Sequence, residues 1–251
     1  MTENSSWLSR TELLLGKEKL ELLNKSHVLI AGLGGVGSSA AEMLCRAGIG
    51  KLTIADSDVF VASNLNRQIP ALLSTMGKSK TKIVKQRLLD INPAIEIETV
   101  NDYLKDQKLT DLVSLPFDYV IDAIDTFSPK TFLIIKAMAQ GHKIVSSMGS
   151  GGKTNPELVR VADISETHTC HLAYQLRKRL RRHGISSGFK AVFSTEKTDK
   201  NSMIYTDEAL NKKTNIGTIS YMPVIFGCFC AAVVIRDLTG IEPENRVIDF
   251  H

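Results

Sequence analysis

Three glycines, Gly32, Gly34 and Gly37, stand at G-x-G-x-x-G spacing, and an acid, Asp56, follows at about the distance at which a carboxylate takes a ribose hydroxyl. That arrangement is suited to a nucleotide. A turn of this kind brings backbone N–H groups and the positive end of a helix against a pyrophosphate, so no dedicated lysine is required to hold the anion. Downstream, Asn64, Asn66, Arg67 and Gln68 crowd one short loop, and Lys80 opens a lysine-rich stretch. Such a loop reads either as a polar turn capped by its asparagines or as a cation, Arg67, reaching back over the glycines to a terminal phosphate with Asn66 beside it. Asp125 is equally two-sided. It suits a helix cap before Pro129, or a carboxylate ligand of magnesium shared with phosphates.

These residues need a scaffold. Val28 to Ala31 is a short apolar run fit for a buried parallel strand, a helix follows from near Ser38, and Leu52 to Ala55 supplies the next strand. Ile95, Ile97 and Thr99 alternate with Glu96 and Glu98, as in a strand with one wet face. Tyr119 to Ile124 makes a fourth strand, which delivers Asp122 and Asp125 to its carboxyl end, where ligands bind in open α/β sheets. Lys143 to Met148 makes a fifth, ending in the bare-backboned GSGGKTNP, a floor for a substrate. Ser9 to Asn24 carries leucines at 13, 14, 20 and 23 and reads as one helical segment over the sheet, with Arg10 near its start. Lys78, Lys80, Lys82 and Lys85 begin a helix that Asn92-Pro93 ends, and most of these lysines are expected in solvent. The fold class is α/β, a doubly wound, Rossmann-like, mostly parallel sheet with a C-terminal extension. Residues 1–251 read as a single domain, with a nucleotide-binding half over 1–150 and a substrate-binding and dimerisation half over 151–251.

A chain of 251 residues, 43% hydrophobic and 23% charged, has enough apolar material for a full core and is neither disordered nor fibrous. The net charge of +4 implies no nucleic acid by itself. One local run does carry charge: Arg177, Lys178, Arg179, Arg181 and Arg182 lie around the periodic leucines 176 and 180 and stop at Gly184. That is an amphipathic helix whose cationic face is either merely solvated or bound to RNA phosphates. The four cysteines, at 45, 170, 228 and 230, form no C-x-x-C pair, which suits a reduced, cytoplasmic protein. Cys228 and Cys230 look like packing in a buried helix, and Cys170 is the thiol with most claim to exposure. His168, Cys170 and His171 lack a second half at metal-ligand spacing. The polar N-terminus has no signal-peptide core, and the apolar stretch Met222 to Ile235 is too short to span a bilayer.

Taken together, Gly32, Gly34, Gly35 and Gly37, then Asp56, Asn64-x-Asn66-Arg67-Gln68, Lys80 and Asp125 resemble the adenylation site of the ubiquitin-activating superfamily. That superfamily includes the bacterial activators of molybdopterin and thiamine sulfur carriers. The glycines alone admit NAD or ATP; the resemblance implies ATP. It further implies that Arg67 and Lys80 contact its phosphates, that Arg10 joins them, that Asp125 binds Mg2+ and that the protein is a homodimer. It also admits a sulfur-transfer or cysteine desulfurase system as a partner.

The sulfur-carrier activators hold zinc through two C-x-x-C pairs, which this sequence lacks. Val192 to Glu196, Gly217 to Pro223, VIDAID and MGSGGKTNP look instead like the tRNA threonylcarbamoyladenosine dehydratase branch, nearly end to end. The reaction so implied is ATP-dependent cyclisation of a threonylcarbamoyl group on an adenosine beside the tRNA anticodon. Two other functions stand against it: activation of the C-terminal glycine of a ubiquitin-like sulfur carrier, and a binding module that holds a nucleotide without chemistry.

Overall fold

A computed structural model describes residues 7–198, 202–205 and 214–241. The chain runs α1 (Ser9–Leu15), α2 (Lys17–Lys25), β1 (His27–Ala31), α3 (Gly35–Ala47), β2 (Lys51–Ala55), α4 (Lys80–Ile91), β3 (Glu96–Val100), α5 (Asp106–Val113), β4 (Tyr119–Asp122) and α6 (Phe127–Ala139). It continues with β5 (Ile144–Ser147), β6 (Val159–Asp163), α7 (His171–Arg181), β7 (Lys190–Ser194), a small hairpin of β8 (Met203–Tyr205) and β9 (Thr214–Ile216), and α8 (Tyr221–Thr239). The main sheet has the order β3-β2-β1-β4-β5-β7-β6. Every pairing is parallel except β6 with β7, so the expected doubly wound sheet is present. Chain order reverses between β1 and β4, and the crevice for a ligand opens at such a switch point.

Alternation along the strands builds two cores. Val28 and Ile30 of β1 face α2, α3, α4 and α8, whereas Leu29 and Ala31 face α5, α6 and α7. All four are fully buried, which is why β1 reads as an unbroken apolar run. On the first face α8 lies against α3 so closely that a Cβ on Gly227 would come within 2.4 Å of the Val36 carbonyl.

Several expectations need correction. The segment over 9–24 is two helices, because Gly16 adopts φ +83° and breaks it. α1 buries none of its residues, and Leu13 and Leu14 are 89% and 83% exposed; Leu15 packs half-buried against the core, and Leu23 of α2 is buried in it. α3 begins at Gly35 rather than near Ser38. α5 was not anticipated. α8 extends to Thr239, and its 19 residues are long and apolar enough to cross a membrane by length and composition, so shortness is no argument against a span. Half of that apolar stretch is instead buried in the protein, as expected of a core helix.

Candidate functional site

The four glycines at the head of α3 do different work. Gly32, at φ +91°, donates to Ala55 of β2, and a Cβ there would strike the Ala123 carbonyl at 2.7 Å. A Cβ on Gly37 would lie 1.8 Å from the Gly32 carbonyl oxygen, and one on Gly35 would press on Pro223 and the Arg67 carbonyl. Only Gly34 faces space, its nearest neighbour being Gln68 Nε2 at 3.9 Å. Three glycines therefore bring backbones together, and the fourth leaves a gap at the helix N-terminus. Ser38 and Ser39 turn their hydroxyls back onto the carbonyls of Gly34 and Gly35, at 2.7 Å each. The first N–H groups of α3 are left pointing at the gap, an anion seat.

Asp56 follows β2 and is fixed by the backbone: Leu33 N–H donates to Oδ2 at 2.6 Å and Asp58 N–H to Oδ1 at 2.8 Å. Burial pushes its carboxyl up, against the pull of Lys80 and these two amides. Lys80 is itself buried. Its Nζ donates to Asp58 at 2.8 Å and stands 3.8 Å from Asp56. Asp58 is thus a partner the sequence reading missed, lying two residues beyond the expected acid.

In the polar loop the bland and the chemical readings divide between residues. Asn64 is buried and accepts from Val61 N–H at 3.1 Å, a cap within the loop. Asn66 donates to the Thr218 carbonyl at 2.9 Å, tying the loop to the segment before α8. Arg67 donates to the Ser63 carbonyl at 2.6 Å and to Asn66 Oδ1 at 3.0 Å, so it lies folded along its own loop. Gln68 Oε1 is buried with no hydrogen-bond partner among the described residues, beside the open Gly34. As an amide oxygen it only accepts, so a donor such as a hydroxyl, and not an anion, would satisfy it.

Asp125 is exposed three residues past β4, immediately before Thr126, which occupies the N-cap position of α6. Thr126 itself makes no side-chain capping hydrogen bond there. Asp122 is turned inward instead, fully buried against Lys130. No group of three or more His, Cys, Asp or Glu side chains gathers among the described residues, at His168, Cys170 and His171 or elsewhere.

Arg10 stands in α1. Leu8, two residues before it, packs on Gly48 at the C-terminal end of α3, about 20 Å along the helix from the anion seat.

Beyond β5 the glycine-rich floor is partly covered. Gly149 is open, but Gly152 donates to the Gly217 carbonyl at 2.7 Å, and a Cβ on Gly151 would meet Ile216 at 3.0 Å. Glu196, whose role the sequence reading did not foresee, accepts from the N–H groups of Thr154 and Asn155, and Tyr221 donates to the Thr154 carbonyl at 2.7 Å. Lys153 is buried against the Glu196 carbonyl, and desolvation lowers its ammonium pKa. The segment 217–223 thus touches both Gly35 and Gly152 and joins the two halves of the sheet edge.

α7 buries Ala173, Leu176 and Leu180 and turns its cations outward. Lys178, Arg181 and Arg182 are exposed; Arg177 is held by the Thr167 hydroxyl, and Arg179 lies 5.8 Å over the Phe132 ring. Cys170, expected to be the exposed thiol, is buried at the N-cap of this helix.

The ThiF family model matches residues 8–251. A tRNA threonylcarbamoyladenosine dehydratase of Bacillus subtilis is 38% identical over 248 residues, 96% of this chain and 98% of the relative. The crystal structure of E. coli tRNA N6-threonylcarbamoyladenosine dehydratase in complex with ATP superposes with a TM-score of 0.86 at 30% identity, covering 94% of this chain and 95% of that one. A molybdopterin-synthase adenylyltransferase of Escherichia coli is 38% identical, but over only 126 residues, half of each chain.

Proposed function

The chain belongs to the ThiF family, and on that footing we propose that it is an ATP-dependent tRNA threonylcarbamoyladenosine dehydratase. The observation that carries the reading is the anion seat at Gly34, walled by Lys80 and the Arg67 loop and lying against the substrate floor through residues 217–223. Similarity to dehydratases over the whole chain, against half for the sulfur-carrier activator, favours tRNA over a carrier protein as substrate.

A carboxylate is a poor electrophile because hydroxide leaves badly. In the proposed reaction the threonine carboxylate attacks the α-phosphorus of ATP, pyrophosphate departs, and an acyl adenylate forms. The neighbouring carbamoyl group then attacks the acyl carbon, AMP leaves with the carboxylate oxygen, and the proton lost on ring closure passes to solvent. Proximity within the substrate replaces an enzyme nucleophile. In this scheme the chain's own residues hold and neutralise: α3 N–H groups and Lys80 meet the phosphates, Arg67 swings from Ser63 to the terminal one, and Asp56 takes the ribose. Asp125, an exposed carboxylate three residues past β4, fits Mg2+, which needs only one or two carboxylates when phosphates share it. Bound with ATP, the metal would neutralise phosphate charge.

The exposed cations of α7 are assigned to the tRNA backbone. A second copy of the chain is assigned to α1, whose Leu13 and Leu14 are bare, and that copy's phosphate seat to Arg10, because Leu8 beside it packs at the far end of α3. We place the protein in the cytoplasm, where its unpaired thiols stay reduced.

Incubation of modified tRNA with ATP and the protein, followed by mass spectrometry of the nucleosides, tests the proposal. Loss of one water from threonylcarbamoyladenosine together with release of AMP is expected. AMP release driven by a sulfur-carrier protein and not by modified tRNA would overturn it.

A further inference from the structure

Beneath the candidate site lies a fully buried ion pair that the proposed chemistry leaves unused. Lys130, in the first turns of α6, gives its Nζ to Asp122 Oδ2 at 2.6 Å and to the Ile124 carbonyl at 3.0 Å. Asp122, at the end of β4, also accepts from Ser146 Oγ of β5 at 2.6 Å, while its Oδ1 accepts from Ile124 N–H at 3.1 Å. Lys130, Asp122 and Ser146 are all 0% exposed.

Both polar groups of the Ile124 backbone are therefore held by side chains of one network, and the next residue is Asp125. The residue before Ile124 is fixed too: Ala123 N–H donates to Ala31 of β1 at 2.8 Å, and its carbonyl lies against Gly32. Stability alone is a weak reason for such a pair, because well-packed apolar residues in place of a buried ion pair are often neutral or stabilising. What apolar side chains cannot do is grip a peptide unit from both sides.

We propose that Lys130 is a positioning residue, which with Asp122 and Ser146 locks the strand-end turn so that the Asp125 carboxylate is in place before a magnesium nucleotide arrives. This rests on the reading of Asp125 given above. Supporting groups behind a metal ligand are typically worth about 10- to 100-fold in metal affinity.

The test is calorimetric titration of ATP in magnesium and in EDTA, with thermal melting as the measure of fold. Lys130→Met combined with Asp122→Leu removes both charges and should stay folded. It should bind ATP in EDTA as the wild type does, yet lose about tenfold or more of the affinity gained from magnesium. Lys130→Arg alone, which keeps a cation beside Asp122, should retain part of that gain. Should the double variant not fold, Ser146→Ala takes its place, with a smaller loss of the same magnesium gain. A wild-type magnesium gain in folded variants overturns the inference alone, as does a loss of ATP affinity that is equal with and without the metal. A wild-type protein indifferent to magnesium overturns the reading of Asp125, and the inference with it.

Discussion

The Lys80 ammonium stands 3.8 Å from the Asp56 carboxylate, and both side chains are almost wholly buried. That cation offsets the desolvation that pushes Asp56 up, and in the proposed function it also meets the nucleotide phosphates. Lys80→Met should lower ATP affinity roughly 10- to 100-fold, the worth of a charge-assisted hydrogen bond, and raise the Asp56 carboxyl further. Lys82→Met, at an exposed position on the next residue but one, should do neither. Calorimetry of ATP binding across pH separates the two variants.

Gly34 and Gly37 should respond oppositely to a methyl group. At Gly37 the new carbon would overlap a backbone oxygen, so Gly37→Ala should cost ~3 kcal/mol or more in stability, beyond the usual range for overpacking. At Gly34 there is room, so Gly34→Ala should melt like the wild type while weakening ATP and leaving modified tRNA bound. Thermal melts and nucleotide titrations on the pair decide it.

Glu42 ties α3 to α4, accepting from Arg87 at 2.6 Å and from Arg46 at 2.9 Å. Burial pushes its carboxyl up, but the two guanidinium groups outweigh burial and hold it below the ordinary glutamate value of 4.5. The stability this provides is present above that value and is lost as pH falls through the depressed one. Glu42→Gln should cost about 1–3 kcal/mol near neutrality, and the difference from wild type should shrink in acid, as read by urea unfolding at several pH values.

On α7 the exposed cations, not the engaged ones, should govern RNA binding. Lys178→Glu with Arg181→Glu should weaken tRNA binding and flatten its salt dependence, since fewer counterions are released. Arg177→Ala should act mainly on stability, because it loses Thr167. Filter binding over a salt series gives both answers; an unchanged slope in the first variant would return the face to solvent.

None of the cysteines should be needed for chemistry. Burial pushes the Cys45 thiol up to about 11 and the Cys230 thiol to about 12, which leaves both protonated and unreactive at neutral pH. Single Cys→Ala variants at 45, 170, 228 and 230 should keep cyclisation, with about 1 kcal/mol lost at the packed sites. A folded Cys170→Ala protein that adenylates without cyclising would contradict the intramolecular attack.

What the sequence revealed was what is local. The glycine turn, Asp56 and the loop from Asn64 to Gln68 follow from spacing within one β-α-β unit, so residue types alone mark the seat. Asp122 shows the limit: a carboxylate at a strand end reads as a ligand, and only the return of Lys130 from α6 turns it inward. Asp58 was passed over because its partner, Lys80, comes from a helix 22 residues later. α5 did have a signal in Leu109, Leu112 and Val113, which it buries, but the segment is short. Gly16 likewise marked the break between α1 and α2, and leucine periodicity carried straight across it.

The place of α8 in the order of synthesis has a consequence for how the protein matures. The wall that faces Gly35 and the apolar cover of α3 both come from residues 221–239, some 190 positions after the turn they complete. A nascent chain that has already made its first β-α-β unit therefore holds it with one side bare until α8 emerges. Domains acquire their cooperative packing only when the segments that close their cores are available. Ribosome-stalled chains lacking α8 would expose the apolar flank of α3 to chaperones, and competence for the nucleotide would arrive late and all at once.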